Sequence, residues 1–224
     1  MHGYQLIEQE VQIVLVGSFN PAIFHPVWFQ SKGLMTEQEV AAAELEVCHS
    51  DVTRFVAEWF QVEVIHARFT ARTKHTGRLE DLRDFVASTF KILAETPVDA
   101  IGINKKSVFR CPDTKSWHAL GDTLAPKDIW HEIFPESHVG MNRLELRTGR
   151  TDGLPGMYNT GVFAITGEDG VAKDHVGFSQ NAHVEIKEAI KEEKVESLYD
   201  FLMSCFDAEV EFADKVFTHV LERV

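Results

Sequence analysis

Cysteine is scarce in this chain, with three among 224 residues, and Cys48, Cys111 and Cys205 lie far apart. An odd count without CxxC spacing excludes a disulfide framework and points to reduced thiols in a cytosolic setting. Long apolar runs are also missing. The opening MHGYQLIEQEVQIVLVG has no basic leader, and its apolar run is too short for a signal peptide or a membrane span. A cytoplasmic protein without membrane contact is therefore expected. Positive charge is in deficit, because 22 Lys and Arg face 35 Asp and Glu and leave a net charge of -13. Such a chain repels a phosphate backbone, which argues against nucleic acid as a partner. A local basic face is still conceivable, since Arg54, Arg68, Arg72, Lys74, Arg78 and Arg83 gather in one stretch.

Motifs of catalysis and nucleotide binding are equally lacking. The GSFNP that follows the first apolar strand has neither the further glycines nor the Lys-Ser/Thr of a phosphate loop, and no GxGxxG occurs. Its Asn20 and Pro21 read instead as a cap and first position of a helix. The 11 histidines never fall in HxH, HxxxH or HExxH spacing, so neither a metal site nor a cofactor is expected. There is no GxSxG and no family signature around a cysteine. Cys205 sits in an apolar helical stripe, where a thiol behaves as a small hydrophobe. No catalytic residue is assigned, and the balance tips away from an enzyme.

Patterning is abundant. Residues 10–17 (EVQIVLVG) read as a strand, and the aromatic stretch AIFHPVWFQSKG as a short helical segment broken at Pro26 and ending at Gly33. Thr36 with Glu39 is a capping box. From residue 45 to 73, Phe55, Ala57, Trp59, Val62, Val64, Phe69 and Ala71 alternate with polar residues, which predicts two or three antiparallel strands. Leu79, Leu82, Phe85, Val86, Phe90 and Leu93 recur at helical spacing and give the clearest amphipathic helix. A strand is predicted over 98–109, two helical pieces over 114–134, and three strands over 143–147, 157–165 and 171–184, joined by the turns TGRTDGLPG and TGEDG. Residues 194–224 repeat apolar positions as one long helix. No sequence repeat is visible.

The densest mixture of aromatic and hydrogen-bonding groups is the 117–130 tract, with Trp117, His118, Asp122, Lys127 and Trp130. Aromatic and polar groups converging on a cleft are the usual composition of a small-molecule site. Arg68 and Arg83 are added as candidate clamps for an anion. The plainer reading has the two tryptophans capping the core and the rest facing water.

The segments NPAIF, PVWF, RFTART, LRDFV, FKIL, TPVDAIGIN, WHALGDTLAPKDIW and GFSQNAHVEI resemble those of a group of uncharacterised bacterial proteins. In layout the chain is also similar to a sporadically distributed bacterial family of about this size. The resemblance implies a bacterial cytosolic α+β protein with an accessory or interaction role, and it brings no residue roles.

These readings converge on an α+β fold: a mostly antiparallel sheet of about six to eight strands in two groups packed against helices, with a long C-terminal helix. One domain over 1–224 is expected, with a build of two similar halves, roughly 1–110 and 111–224, as the variant arrangement. The expected function is that of an interaction or accessory protein of a bacterial multi-protein system. A homodimer is expected from the width of the last apolar stripe. The alternative is a small-molecule or anion-binding protein, with or without catalysis, built on the 117–130 tract.

Overall fold

The computed structural model describes residues 3–135, 139–166 and 172–223. A long strand, β1 (Gln5–Gly17), leads through a 3-10 turn into two short helices, α1 (Pro26–Ser31) and α2 (Glu37–Ala42). Four strands follow: β2 (Glu44–Cys48), β3 (Val52–Val56), β4 (Gln61–Ile65) and β5 (Arg68–Thr73). Helix α3 (Leu79–Ile92) closes this half. The second half repeats the plan with β6 (Val98–Arg110), helices α4 (Thr114–Leu124) and α5 (Asp128–His131), and strands β7 (Arg143–Gly149), β8 (Gly156–Thr166) and β9 (Ala172–Val184). Helices α6 (Ile186–Lys191) and α7 (Leu198–Leu221) end the chain.

The nine strands form one sheet in the order β2-β3-β4-β5-β1-β6-β9-β8-β7, and every neighbouring pair is antiparallel. In each half the last strand returns to the long one, β5 to β1 and β9 to β6, and the long strands pair at the centre. The fold is thus α+β, and the two strand groups are the two flanks of a single sheet. The topological junction lies between α3 and β6. Residues 45 to 73 hold four strands where alternation predicted two or three, because tight turns divide the run. The turn expected at TGEDG lies largely outside the described residues.

Local chemistry explains most element ends. The capping box forms: Glu39 N–H donates to Thr36 Oγ1 at 3.1 Å, and Thr36 N–H to the Glu39 carboxylate at 2.8 Å. Asn20 makes no side-chain cap. His25 caps α1 instead, accepting from Val27 N–H at 3.1 Å, and Pro26 starts that helix because a first-turn position needs no N–H partner. Asp113 caps α4 by accepting from Ser116 N–H at 2.7 Å.

The helices cover one face of the sheet. Val11, Ile13 and Leu15 of β1 point into it and are fully buried, while Glu10, Gln12 and Val14 point away. Many of the chain's 16 phenylalanines pack here. Phe29 and Phe85 sit 4.9 Å apart between ring centroids, Phe60 and Phe85 4.7 Å, and Phe69 and Phe90 5.0 Å, binding α1 and α3 to the first-half strands. A second, smaller cluster holds Phe109, Phe178 and Phe217 beneath the end of α7.

A polar seam separates the two clusters. On the helix face, Lys105 pairs across strands with Gln180, and Gln180 with Thr160, whose hydroxyl is 2.5 Å from the Gln180 carbonyl oxygen. Lys105 is 3 % exposed and reaches Asp214 of α7 at 2.5 Å. Arg150, 1 % exposed, binds Asp152 at 2.5 Å and also Glu209 of α7, with its guanidinium over the Tyr158 ring at 4.6 Å. Burial alone would depress the Arg150 pKa, yet Asp152 and Glu209 outweigh it and raise it. Burial pushes the Tyr158 phenol up to about 12.

Most of the apolar stripe of α7 is buried within the chain, while Met203 and Phe212 stay exposed. Phe201, Leu202, Phe206, Val210, Ala213, Phe217 and Leu221 are all buried, and Phe212 packs on Tyr158 with centroids 4.9 Å apart. Among the described residues, no helix is long and apolar enough to cross a membrane.

Two outcomes follow from the ion pairs. Glu209→Ala leaves the buried guanidinium short of a carboxylate and should cost about 3–5 kcal/mol, whereas a double Arg150→Met, Glu209→Leu variant should regain most of it; urea midpoints measure both. Asp152 and Glu8 have pKa values lowered by hydrogen bonds from Arg150 and Lys74 respectively. Groups depressed in the folded state stabilise it above their unfolded pKa. Stability should hold near neutrality and fall as the pH drops below about 4, as followed by circular dichroism.

Candidate functional site

Among the described residues no helix covers the other face of the sheet, and strand register organises it into rows. One row crosses all nine strands: Glu44, Val56, Gln61, Arg72, Gln12, Asn104, Asn181, Asn159 and Arg147 stand as successive cross-strand partners. Five of these nine side chains are carboxamides. The adjacent row in the second half runs Glu10, Lys106, Ser179, Gly161 and Glu145.

The two flanks are furnished differently. In the first half, long side chains fill the face by binding one another. Arg72 donates to the Gln61 carbonyl at 3.0 and 2.7 Å, Arg54 Nε to Glu63 at 2.6 Å, and Arg68 to Glu63 at 3.3 Å. In the second half, the corresponding strands carry short amides, Ser179 and glycines. A Cβ on Gly161 would stand 2.5 Å from Ser179 Oγ, and one on Gly102 would stand 3.3 Å from Asn181 Oδ1. Small residues leave a groove of about 710 Å³ over β1, β6, β9, β8 and β7.

Its walls are charged and its floor is amide. Arg143 binds Glu145 at 2.7 Å and lies over the Phe163 ring at 5.1 Å; Lys106 approaches the same ring at 5.7 Å. Arg147 Nε donates to Asn159 Oδ1 at 3.2 Å. Among the described residues, neither Lys106 nor Arg147 has a carboxylate within salt-bridge reach. Asn181 Oδ1 is shielded from solvent and accepts no hydrogen bond.

The residues singled out from sequence are split among several places. Trp117, His118, Asp122 and Lys127 line one cavity of about 490 Å³, together with Met141 and Phe163. Trp117 Nε1 donates to the His175 carbonyl at 3.1 Å, which holds the indole in place, and Lys127 pairs with Asp122 at 2.6 Å. Trp130 does not line this cavity; it is exposed, beside exposed Ile129, Ile133 and Phe134. Arg68 lies on the first-half flank of the open face. Arg83 lies on α3, bound to Asp84 at 2.8 Å and Asp207 at 2.9 Å. Neither arginine lines the tryptophan cavity.

Sequence reasoning passed over Asn104, Asn159, Ser179 and Asn181. A signal was present. Asparagine and glycine are disfavoured in strands, and finding them inside three apolar alternations marks a face kept for something other than packing.

Among the described residues, no three His, Cys, Asp or Glu side chains gather to hold a metal ion. The three cysteines are free, and burial pushes the Cys111 thiol up to about 11. No protein-family model matches the chain, and no curated protein matches it either.

Proposed function

We propose that this chain is an interaction protein that engages a protein partner on the open face of its sheet, as an accessory component of a bacterial multi-protein system. The observation that carries this reading is the amide row. Placing Asn104, Asn159 and Asn181 side by side with Gly102 and Gly161 on neighbouring strands weakens a sheet, since none of them packs well on a pleated surface. Carboxamides offer donors and acceptors together, the pattern of a peptide backbone. A photo-crosslinking residue at Asn159, in the full chain in its host, should trap a discrete protein adduct that Gly161→Arg abolishes. The same residue at Glu211, exposed on α7, should not. Equal trapping from both positions, or none from Asn159, overturns the reading.

A second reading rests on the 490 Å³ cavity of the 117–130 tract. Indole, imidazole and thioether groups beside an Asp122–Lys127 pair suit a small molecule with an aromatic ring and a polar end. Gly121 lines this cavity from inside α4, where an added Cβ would meet nothing nearer than Met141 Cβ at 3.9 Å. Gly121→Leu should preserve the melting temperature of the free protein and erase any shift produced by a metabolite library. A library that shifts neither protein removes this reading.

A further inference from the structure

Resting on the docking-face reading, we infer that the second-half groove takes an extended acidic peptide whose two carboxylates, four or five residues apart, meet Lys106 and Arg147. Several charges around the groove are already paired. Glu145 is held by Arg143, and Glu10 accepts from Gln12 and lies 3.8 Å from Arg72. Lys106 and Arg147 are exposed, and among the described residues neither has a carboxylate within 4 Å; Lys106 acts on Glu8 only at longer range, and Arg147 donates to the Asn159 amide. They are two exposed cations without a close counter-charge on a chain whose net charge is -13.

Geometry sets the spacing. Lys106 stands on β6 and Arg147 on β7, with β9 and β8 between them. Three strand spacings and a two-residue offset separate them by roughly 14–16 Å, which an extended chain covers in about four or five residues. Between the cations lie Asn181, Ser179, Asn159 and Gly161. The backbone of the crossing peptide runs over these short side chains. Gly161 and Ser179 let that backbone approach the sheet. On the first-half flank Arg54, Arg68 and Arg72 are tied to Glu63 and Gln61, so no equivalent pair is free there.

Fluorescence anisotropy on the full chain tests the assignment with short serine- and glycine-rich peptides. One carries two aspartates four residues apart, a second carries them adjacent, a third carries lysines instead, and a single-stranded oligonucleotide serves as a rival anion. The spaced-aspartate peptide should bind best. Lys106→Gln and Arg147→Gln should each weaken it about tenfold, the loss of one charge-assisted contact. Ser179→Arg, which fills the groove from its floor, should abolish binding while circular dichroism stays unchanged. Tighter binding of the oligonucleotide, or indifference to both cation variants, overturns the inference. If no peptide binds yet crosslinking from Asn159 still traps a protein, the acidic peptide is wrong and the docking face stands. If that crosslink is also absent, both fall.

Discussion

The antiparallel pairing of β1 with β6 is the constraint from which the rest of the molecule is laid out. These strands have 13 residues each, and every other strand is added outward from one of them. Their register decides the meaning of each side chain. A slip of one residue in β1 would exchange Val11, Ile13 and Leu15 for Glu10, Gln12 and Val14 on the buried face. The alternation that places the core beneath the helices is the same alternation that places Gln12 and Asn104 at the middle of the open row.

From that shared centre the two flanks diverge. Each is built as a meander returning to its long strand, four strands beside β1 and three beside β6. Side-chain length also distinguishes them. Arginines in the first half reach across to Glu63 and Gln61 and fill much of the surface, whereas amides, serine and glycine in the second half are too short to do so. The groove over the second half, about 710 Å³, is accordingly wider than the one of about 240 Å³ over the first, a difference of residue size.

Much of this was legible in the sequence, and what was not has a physical reason. Helix α3, the Thr36 capping box and the C-terminal helix are local patterns, so spacing along the chain reveals them. The tryptophan cavity was legible for the same cause: Trp117, His118 and Asp122 lie on α4, whose own turn brings them together. Trp130 fell outside because α5 is a single turn that carries its aromatic ring away from α4. Strand count was short because loop-bounded strands of five residues merge in a one-dimensional pattern. The groove lay beyond reach because its side chains come from five strands spread between residues 10 and 181. Only pairing order makes them neighbours, and pairing order is a long-range property.

The groove and the buried seam occupy the same place in the sheet, back to back. Asn104, Asn181 and Asn159 face outward, and the next residues in sequence or the ones before, Lys105, Gln180 and Thr160, face the helices. Here both faces are polar, so the inside–outside alternation that specifies register elsewhere says little. Ile103 and Phe109 on β6, with Phe178 and Ala182 on β9, still anchor the ends of the stretch. Across the middle, the selection comes from α7, where Asp214 accepts Lys105 and Glu209 accepts Arg150, contacts available in one register alone. Buried ion pairs add little net stability over apolar packing, but they discriminate strongly between arrangements because an unpaired buried charge is so costly. A row of amides can be displayed on one face of this sheet because charges on the opposite face hold the strands that carry it.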